Sequence, residues 1–138
     1  MRVTAIDRDP DQQPDAPGLT KVRTDLETGA PWPLERQQFD LVVATNYLHR
    51  PILADIVGSV APGGLLLYET FAAGNECFGK PSNPDFLLRP GELAAAVAGR
   101  LEIIAYEEVE LGAPRPAVVQ RIAARAPAKA RPDQVEGT

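Results

Sequence analysis

Two apolar segments constrain the fold of this chain more than any other feature: residues 39–44 (FDLVVA) and 65–70 (LLLYET). Their near-continuous apolar character suits parallel strands covered on both faces, since a strand with one solvated face alternates apolar and polar residues. Pro51 can begin a helix between them, and apolar residues follow it at helical spacing: Ile52, Leu53, Ile56, Val57 and Val60. Pro62-Gly63-Gly64 then stops the helix. The region predicts two adjacent, central, parallel strands joined by a helix.

Shorter elements flank this region. Strand-like sequence occupies residues 3–6, 21–24, 101–111 and 117–124, and helix-like sequence occupies residues 90–98. A Gly- and Pro-rich turn separates the last two strands, which predicts an antiparallel hairpin with one strand inserted beside LLLYET. The order of elements predicts an α/β fold. We assign residues 1–125 to one domain and expect residues 126–138, which offer nothing to bury, to form a disordered tail.

Composition narrows the functional classes. The formal net charge of −5 disfavours a nucleic-acid partner, because an acidic surface repels phosphates. The single cysteine excludes an internal disulfide. The sequence has no apolar run near the ~20 residues that span a bilayer, and its first residues do not resemble a secretory signal. We therefore expect a cytoplasmic protein with neither a nucleic-acid nor a membrane partner.

In combination, these segments resemble class I S-adenosylmethionine-dependent methyltransferases, from the second strand of that fold to its end. FDLVVATNYLHRP resembles the family's fourth strand and the segment after it, and APGGLLLYE resembles the turn into strand five. The resemblance implies a Rossmann-like, mostly parallel sheet with a C-terminal antiparallel hairpin, the cofactor S-adenosyl-L-methionine, and methyl transfer to a small-molecule acceptor. Residues 68–93 resemble a bacterial subgroup of small-molecule methyltransferases, some of them similar to tellurite-resistance enzymes.

The resemblance also implies cofactor contacts. Asp7, at the end of VTAID, matches the acid that binds the ribose hydroxyls, although Asp9 could take that role and a solvated strand-end acid is the alternative. Asp25 matches the acid that accepts from the adenine amino group, with Leu26 beside the ring, and a turn cap is the alternative.

The segment after FDLVVA supplies the remaining candidates. Thr45 and Asn46 lie just past the strand end, where ligands of open α/β sheets bind, and are assigned to the cofactor. His49 and Tyr47 are the candidate catalytic residues, since an imidazole can exchange a proton near neutral pH. Methyl transfer depends mainly on the alignment of the acceptor with the methyl donor, so a structural role for His49 and Tyr47 stays open.

The long segment after LLLYET is where the family binds its acceptors. Five polar residues, one at the end of LLLYET and four in the segment after it, are interpreted as scaffold, with acceptor contact as the alternative: Glu69, Asn75, Glu76, Lys80 and Asn83. Cys77 lies among them, and a lone loop cysteine is usually inert. No metal site is predicted.

The family's first strand and its Gly-x-Gly loop would precede Val3, where the sequence has two residues. We expect a missing first βα unit and favour truncation; a mis-started gene product, a decayed relative and a deliberately shortened chain are the alternatives. S-adenosylmethionine binding is then expected to be weak or absent, and exposed strand edges would promote self-association. Two other functions stay open, a nicotinamide-dependent oxidoreductase fragment and a non-catalytic Rossmann-like remnant.

Overall fold

A computed structural model describes residues 3–7, 17, 19–23, 32–34 and 37–128. The chain divides into two compact units, Met1–Glu35 and Arg36–Thr138. In the first unit, strand β1 (Val3–Asp7) pairs in parallel with strand β2 (Leu19–Arg23). Both strands were expected from the sequence, and the second begins two positions earlier than predicted.

The second unit contains a four-stranded mixed sheet. Its strands are β3 (Phe39–Thr45), β4 (Val60–Phe71), β5 (Glu102–Leu111) and β6 (Ala117–Arg125), in the order β3-β4-β6-β5. Strand β3 is parallel to β4, whereas β6 is antiparallel to both of its neighbours. The predicted parallel pair and the hairpin strand inserted beside LLLYET are confirmed. The fold is α/β and Rossmann-like, as expected.

Two six-residue helices complete the described part of the second unit. Helix α1 (Leu53–Gly58) follows a 3-10 turn at Arg50–Ile52, and helix α2 (Glu92–Val97) follows Gly91. Of the apolar residues at helical spacing, Ile56 and Val57 on α1 and Ile52 in the turn before it are buried; Leu53 is half-buried, and Val60 is buried as the first residue of β4. In α2, Leu93 and Val97 are 1% exposed, so each short helix is held mainly by its packing.

The helices cover one face of the sheet. On that face lie the buried side chains Leu66, Tyr68, Thr70, Gln120, Ile122 and Ala124. On the opposite face, Leu41 is 47% exposed, Val43 is 58% exposed and Leu67 is 38% exposed. The prediction that FDLVVA is buried on both faces is therefore wrong. Among the described strands, β3 lies at the end of its sheet, and both described helices pack on the other face.

The Pro62-Gly63-Gly64 segment lies inside β4 instead of forming a separate turn, because α1 already ends at Gly58. Gly63 has a φ of 77°, the left-handed region that favours glycine. A Cβ at Gly64 would lie 2.8 Å from the carbonyl oxygen of Ala61 and 3.0 Å from those of two β3 residues. Glycine therefore permits β3 and the start of β4 to approach closely.

The sheet packing extends to the beginning of the expected tail. Ala126 is buried, its N–H donates to the carbonyl of Gly64 at 2.9 Å, and its own carbonyl accepts from Gly63 at 3.1 Å. Residues 129–138 lie outside the described part of the chain, so the disordered tail stays a prediction there.

Candidate functional site

The chain turns sharply at the carboxyl end of β3. Thr45, the last residue of the strand, is exposed and pairs with Glu69 of β4. Asn46 follows with a φ of 53°, and its N–H donates to the carbonyl of Glu69 at 2.9 Å. Asparagine is one of the few residues that enter the left-handed region readily, and such residues concentrate at functional sites. The turn presents both polar side chains at the strand end.

Backbone contacts hold the next three residues. The buried hydroxyl of Tyr68 donates to the carbonyl of Tyr47 at 2.6 Å, and burial raises the pKa of Tyr68, which keeps that donor protonated. Leu48 is 5% exposed and anchors the turn in the core. His49 is half-buried, and its carbonyl accepts from Ile52 at 3.1 Å. The structure thus brings four sequence-predicted residues together in one strand-end segment, residues 45–49.

The loop after β4 is closed at its base. Ala72 and Leu88 form an isolated parallel bridge, the N–H of Ala73 donates to the carbonyl of Leu88 at 2.9 Å, and that of Leu88 donates to Phe71 at 3.0 Å. A long loop of this kind within a compact unit is frequently functional. We call residues 72–91 the strand-four loop.

Several polar residues of this loop make structural contacts. Asn75 is 2% exposed; its amide donates to the carbonyl of Pro81 at 2.9 Å and its oxygen accepts from Val118 at 3.0 Å. Glu76 accepts from the N–H of Gly74, and Asn83 from the N–H of Asp85. These contacts support the interpretation of the three residues as scaffold.

The other candidates of this region differ among themselves. Glu69 forms an ion pair with Arg121 of β6, its neighbour in the sheet, and Arg121 also pairs with Glu107 of β5 at 2.8 Å. The carboxylates raise the pKa of the Arg121 guanidinium, and this row of charges lies on the exposed sheet face. Lys80 and Cys77 are exposed.

Arg50 joins the strand-end segment to the strand-four loop. Its guanidinium donates to both carboxylate oxygens of Glu92, at 2.7 and 2.8 Å. It also donates to the carbonyls of Asp85 and Leu87, at 3.1 and 2.8 Å. The N–H of Arg89 donates to Glu92 at 2.8 Å, and the Arg50 contact holds the pKa of Glu92 below its ordinary value. We call this cluster the Arg50–Glu92 clamp.

Gln120 joins the hairpin to α2. It is 0% exposed, and its amide donates to the carbonyl of Arg89 at 2.7 Å and to Glu108 at 3.0 Å. Its oxygen accepts from the N–H of Leu93 at 3.2 Å and from the hydroxyl of Tyr106 at 3.0 Å. Burial raises the pKa of Tyr106 to about 12.

Sequence reasoning missed these two clusters. Arg50 and Glu92 look like ordinary surface charges, and only the fold reveals their contact across 42 positions. Gln120 carried a usable signal, since a lone amide inside the apolar run AVVQRIAAR is expected to need buried partners.

The remaining sequence-predicted residues belong to the first unit. Asp7 ends β1, as the family pattern requires, and its side chain is outside the described part of the structure. Asp25 and Leu26 lie outside the described residues altogether. Within the part of the chain that is described, no group of three or more His, Cys, Asp or Glu side chains could hold a metal ion. No described helix is long and apolar enough to cross a membrane.

The fold is that of class I S-adenosylmethionine-dependent methyltransferases. The chain is similar to the N-methyltransferase NodS from Bradyrhizobium japonicum WM9 in complex with S-adenosyl-L-homocysteine, with a TM-score of 0.63 and 17% identity over 91% of this chain and 67% of that one. An S-adenosylmethionine-dependent methyltransferase from Methanosarcina mazei gives a TM-score of 0.63 and 15% identity over 93% of this chain and 83% of its own.

TehB from Haemophilus influenzae is a third similar structure, with a TM-score of 0.64 and 16% identity over 91% of this chain and 50% of TehB. No protein-family model and no curated protein sequence match this chain. At these identities the likeness establishes the fold.

Proposed function

We propose that this protein transfers a methyl group from S-adenosyl-L-methionine to a small-molecule acceptor. The observation that supports the proposal is the methyltransferase fold, with two ordered segments at the carboxyl ends of its parallel strands β3 and β4. Ligands of open α/β sheets bind outside those ends. The NodS structure contains S-adenosyl-L-homocysteine, the product of such a transfer, which supports the same cofactor here.

Each of the two units contains residues that we propose for cofactor binding. Asp7 would accept from the ribose hydroxyls, and Asp25 would accept from the adenine amino group with Leu26 against the ring. Thr45 and Asn46, both exposed at the end of β3, would line the cofactor. The left-handed backbone of Asn46 gives that assignment a structural reason, because the strained turn keeps its side chain at the edge.

The acceptor would lie against the strand-four loop. His49 and Tyr47 are the residues next to it that could move a proton, and both are half-buried. Backbone contacts hold residues 45–49 in place, which favours a role for them in aligning the acceptor with the methyl donor. Alignment matters because methyl transfer from a sulfonium needs an acceptor whose free lone pair lies in line with the methyl group. The acceptor class is a small molecule, as the subgroup resemblance implies.

Isothermal titration with S-adenosyl-L-homocysteine and with NAD tests this proposal. A methyltransferase is expected to bind the first ligand in preference to the second, even where the affinity is weak. Preference for NAD would favour the oxidoreductase alternative.

We also propose that the chain self-associates through β3. Among the described strands, β3 is hydrogen-bonded to β4 alone, so within that part of the chain no strand pairs with its outer edge. Beside that edge lie the exposed side chains of Leu41 and Val43. An apolar edge strand is a template for pairing with another chain, which natural edges usually avoid by carrying charges.

A further inference from the structure

Phe86 is an exposed aromatic residue whose backbone is held on both sides. Its side chain is 47% exposed, while its N–H donates to the carbonyl of Asn83 at 2.9 Å. The carbonyls of its two neighbours, Asp85 and Leu87, both accept from Arg50, at 3.1 and 2.8 Å. A single apolar side chain on a surface needs no explanation. Here, however, the carbonyls of the residues on both sides of Phe86 are bound by one partly buried guanidinium, and this arrangement does require an explanation.

Arg50 has a positioning role because its donors are already used. A guanidinium has five N–H donors, and four hydrogen bonds from Arg50 go to Glu92, Asp85 and Leu87. The bidentate pair with Glu92 is the strongest geometry available to an arginine and a carboxylate. The side chains are only 27% and 16% exposed. Little capacity is left for an anionic ligand.

The clamp fixes Phe86 relative to the strand-end segment. Arg50 directly follows His49, and its partners lie at the far end of the strand-four loop. Both segments follow the carboxyl ends of the neighbouring parallel strands β3 and β4. The backbone of Phe86 is therefore preorganised on a loop that follows the carboxyl end of β4, the side of an open α/β sheet where ligands bind.

We propose that Phe86 contacts the methyl acceptor, that the Arg50–Glu92 clamp positions it, and that it selects acceptors carrying an aromatic ring. This inference rests on the proposed function, because it takes the molecule that Phe86 contacts to be a methyl acceptor. Aromatic rings pair in offset or edge-to-face geometry, which gives a ring on the ligand an advantage over a saturated ring of the same size. A rigid ring also binds with a small loss of side-chain freedom.

The test uses phenol and its saturated counterpart cyclohexanol as probes, titrated into the whole chain and followed by NMR. Phenol is expected to bind about threefold or more tightly than cyclohexanol, the scale of one aromatic pair. Phe86→Ala should weaken phenol binding at least fivefold and abolish the preference. Phe78→Ala is the matched control, since Phe78 is 43% exposed on the same loop and is not among the residues that Arg50 binds; it should change the affinity less than twofold. Equal effects of the two substitutions, or none, would overturn the proposal.

The positioning role has its own variant pair. Arg50→Lys keeps the charge but loses the bidentate contact, so phenol affinity should fall at least threefold although Phe86 is intact. Arg100→Lys, which alters an exposed arginine bonded to the carbonyl of Ala54, controls for lost stability and should leave affinity within twofold. If Arg50→Lys does not fold, amide exchange of residues 83–88 in Glu92→Gln replaces it, with faster exchange expected there and unchanged exchange contradicting the clamp.

These outcomes are independent of methyl transfer. If the chain binds phenol through Phe86 but shows no preference for S-adenosyl-L-homocysteine, the proposed function is refuted, whereas the binding of aromatic rings by Phe86 still holds. A chain that binds S-adenosyl-L-homocysteine but is insensitive to Phe86→Ala would refute only this inference.

Discussion

Arg50 and Glu92 join two segments that lie 42 positions apart in the chain, and their contact is sensitive to pH. Arg50 holds the pKa of Glu92 below its ordinary value in the folded protein. A carboxyl group with a depressed folded pKa contributes stability above its unfolded pKa and loses it as the pH falls through the folded pKa. The free energy of unfolding should therefore decline below about pH 4, near the ordinary glutamate value.

Urea unfolding at a series of pH values tests this expectation with Glu92→Gln. The variant should be less stable at neutral pH by about 1–3 kcal/mol, because a hydrogen-bonded charge loses its partner. Its stability should also fall less steeply in acid than that of the unmodified chain. Glu110→Gln, on an exposed position of β5, is the control. Parallel pH curves for the chain and Glu92→Gln would show that the contact does not form in solution.

Gln120 gives a second prediction at the scale of single residues. Gln120→Leu should lower the free energy of unfolding by about 2–4 kcal/mol, because it leaves the buried N–H of Leu93 and the carbonyl of Arg89 without their partner. Gln38→Leu changes an exposed glutamine in the same way and should have an effect within about 0.5 kcal/mol. Thermal and urea unfolding measure both. Similar losses of stability in the two variants would mean that the introduced leucine causes the loss, and not the removal of the Gln120 hydrogen bonds.

At the scale of elements, the entry into β4 depends on the absence of a side chain at Gly64. Gly64→Ala should destabilise the fold by about 1–3 kcal/mol, since its Cβ would meet three backbone oxygens at 2.8 to 3.0 Å and backbone cannot move as a flexible side chain does. Gly112→Ala is the matched control, because a Cβ at Gly112 would have no heavy atom within 4 Å. Differential scanning calorimetry of both variants checks the difference. Equal melting temperatures would contradict the close approach of β3 and β4.

The elements also show what could be predicted from the sequence. Apolar periodicity predicted β3, β4, both helices and the hairpin, because each depends on local pattern and short connections. It did not predict that Leu41 and Val43 would be exposed, since a continuous apolar run indicates two covered faces without saying what covers them. The Arg50–Glu92 clamp could not be predicted from the sequence either, because it depends on how two segments that are distant in the chain meet in the fold. Asn46 was assigned from the family pattern, whereas its left-handed backbone appeared only in the structure.

At the scale of the whole molecule, the apolar edge of β3 predicts association that depends on concentration. Val43→Lys places a charge on this edge strand, the device by which natural sheets prevent pairing, and should shift the chain toward monomer. Ile104→Lys is the control and should leave the distribution unchanged, because β5, the other end strand of the described sheet, already carries the exposed charges of Glu102, Glu107 and Glu110. Sedimentation velocity over a hundredfold concentration range measures the effect. A chain that is monomeric throughout would refute self-association.

The central claim is that the carboxyl ends of β3 and β4 form the cofactor edge of a methyltransferase fold. The most direct test is an NMR titration of the isotope-labelled chain with S-adenosyl-L-homocysteine and separately with NAD, because amide shifts locate even weak binding. Saturable shifts are expected at Thr45, Asn46 and the other residues of the strand-end segment with S-adenosyl-L-homocysteine, and smaller or no shifts there with NAD. Shifts that are larger with NAD, or shifts confined to residues away from residues 45–49, would contradict it.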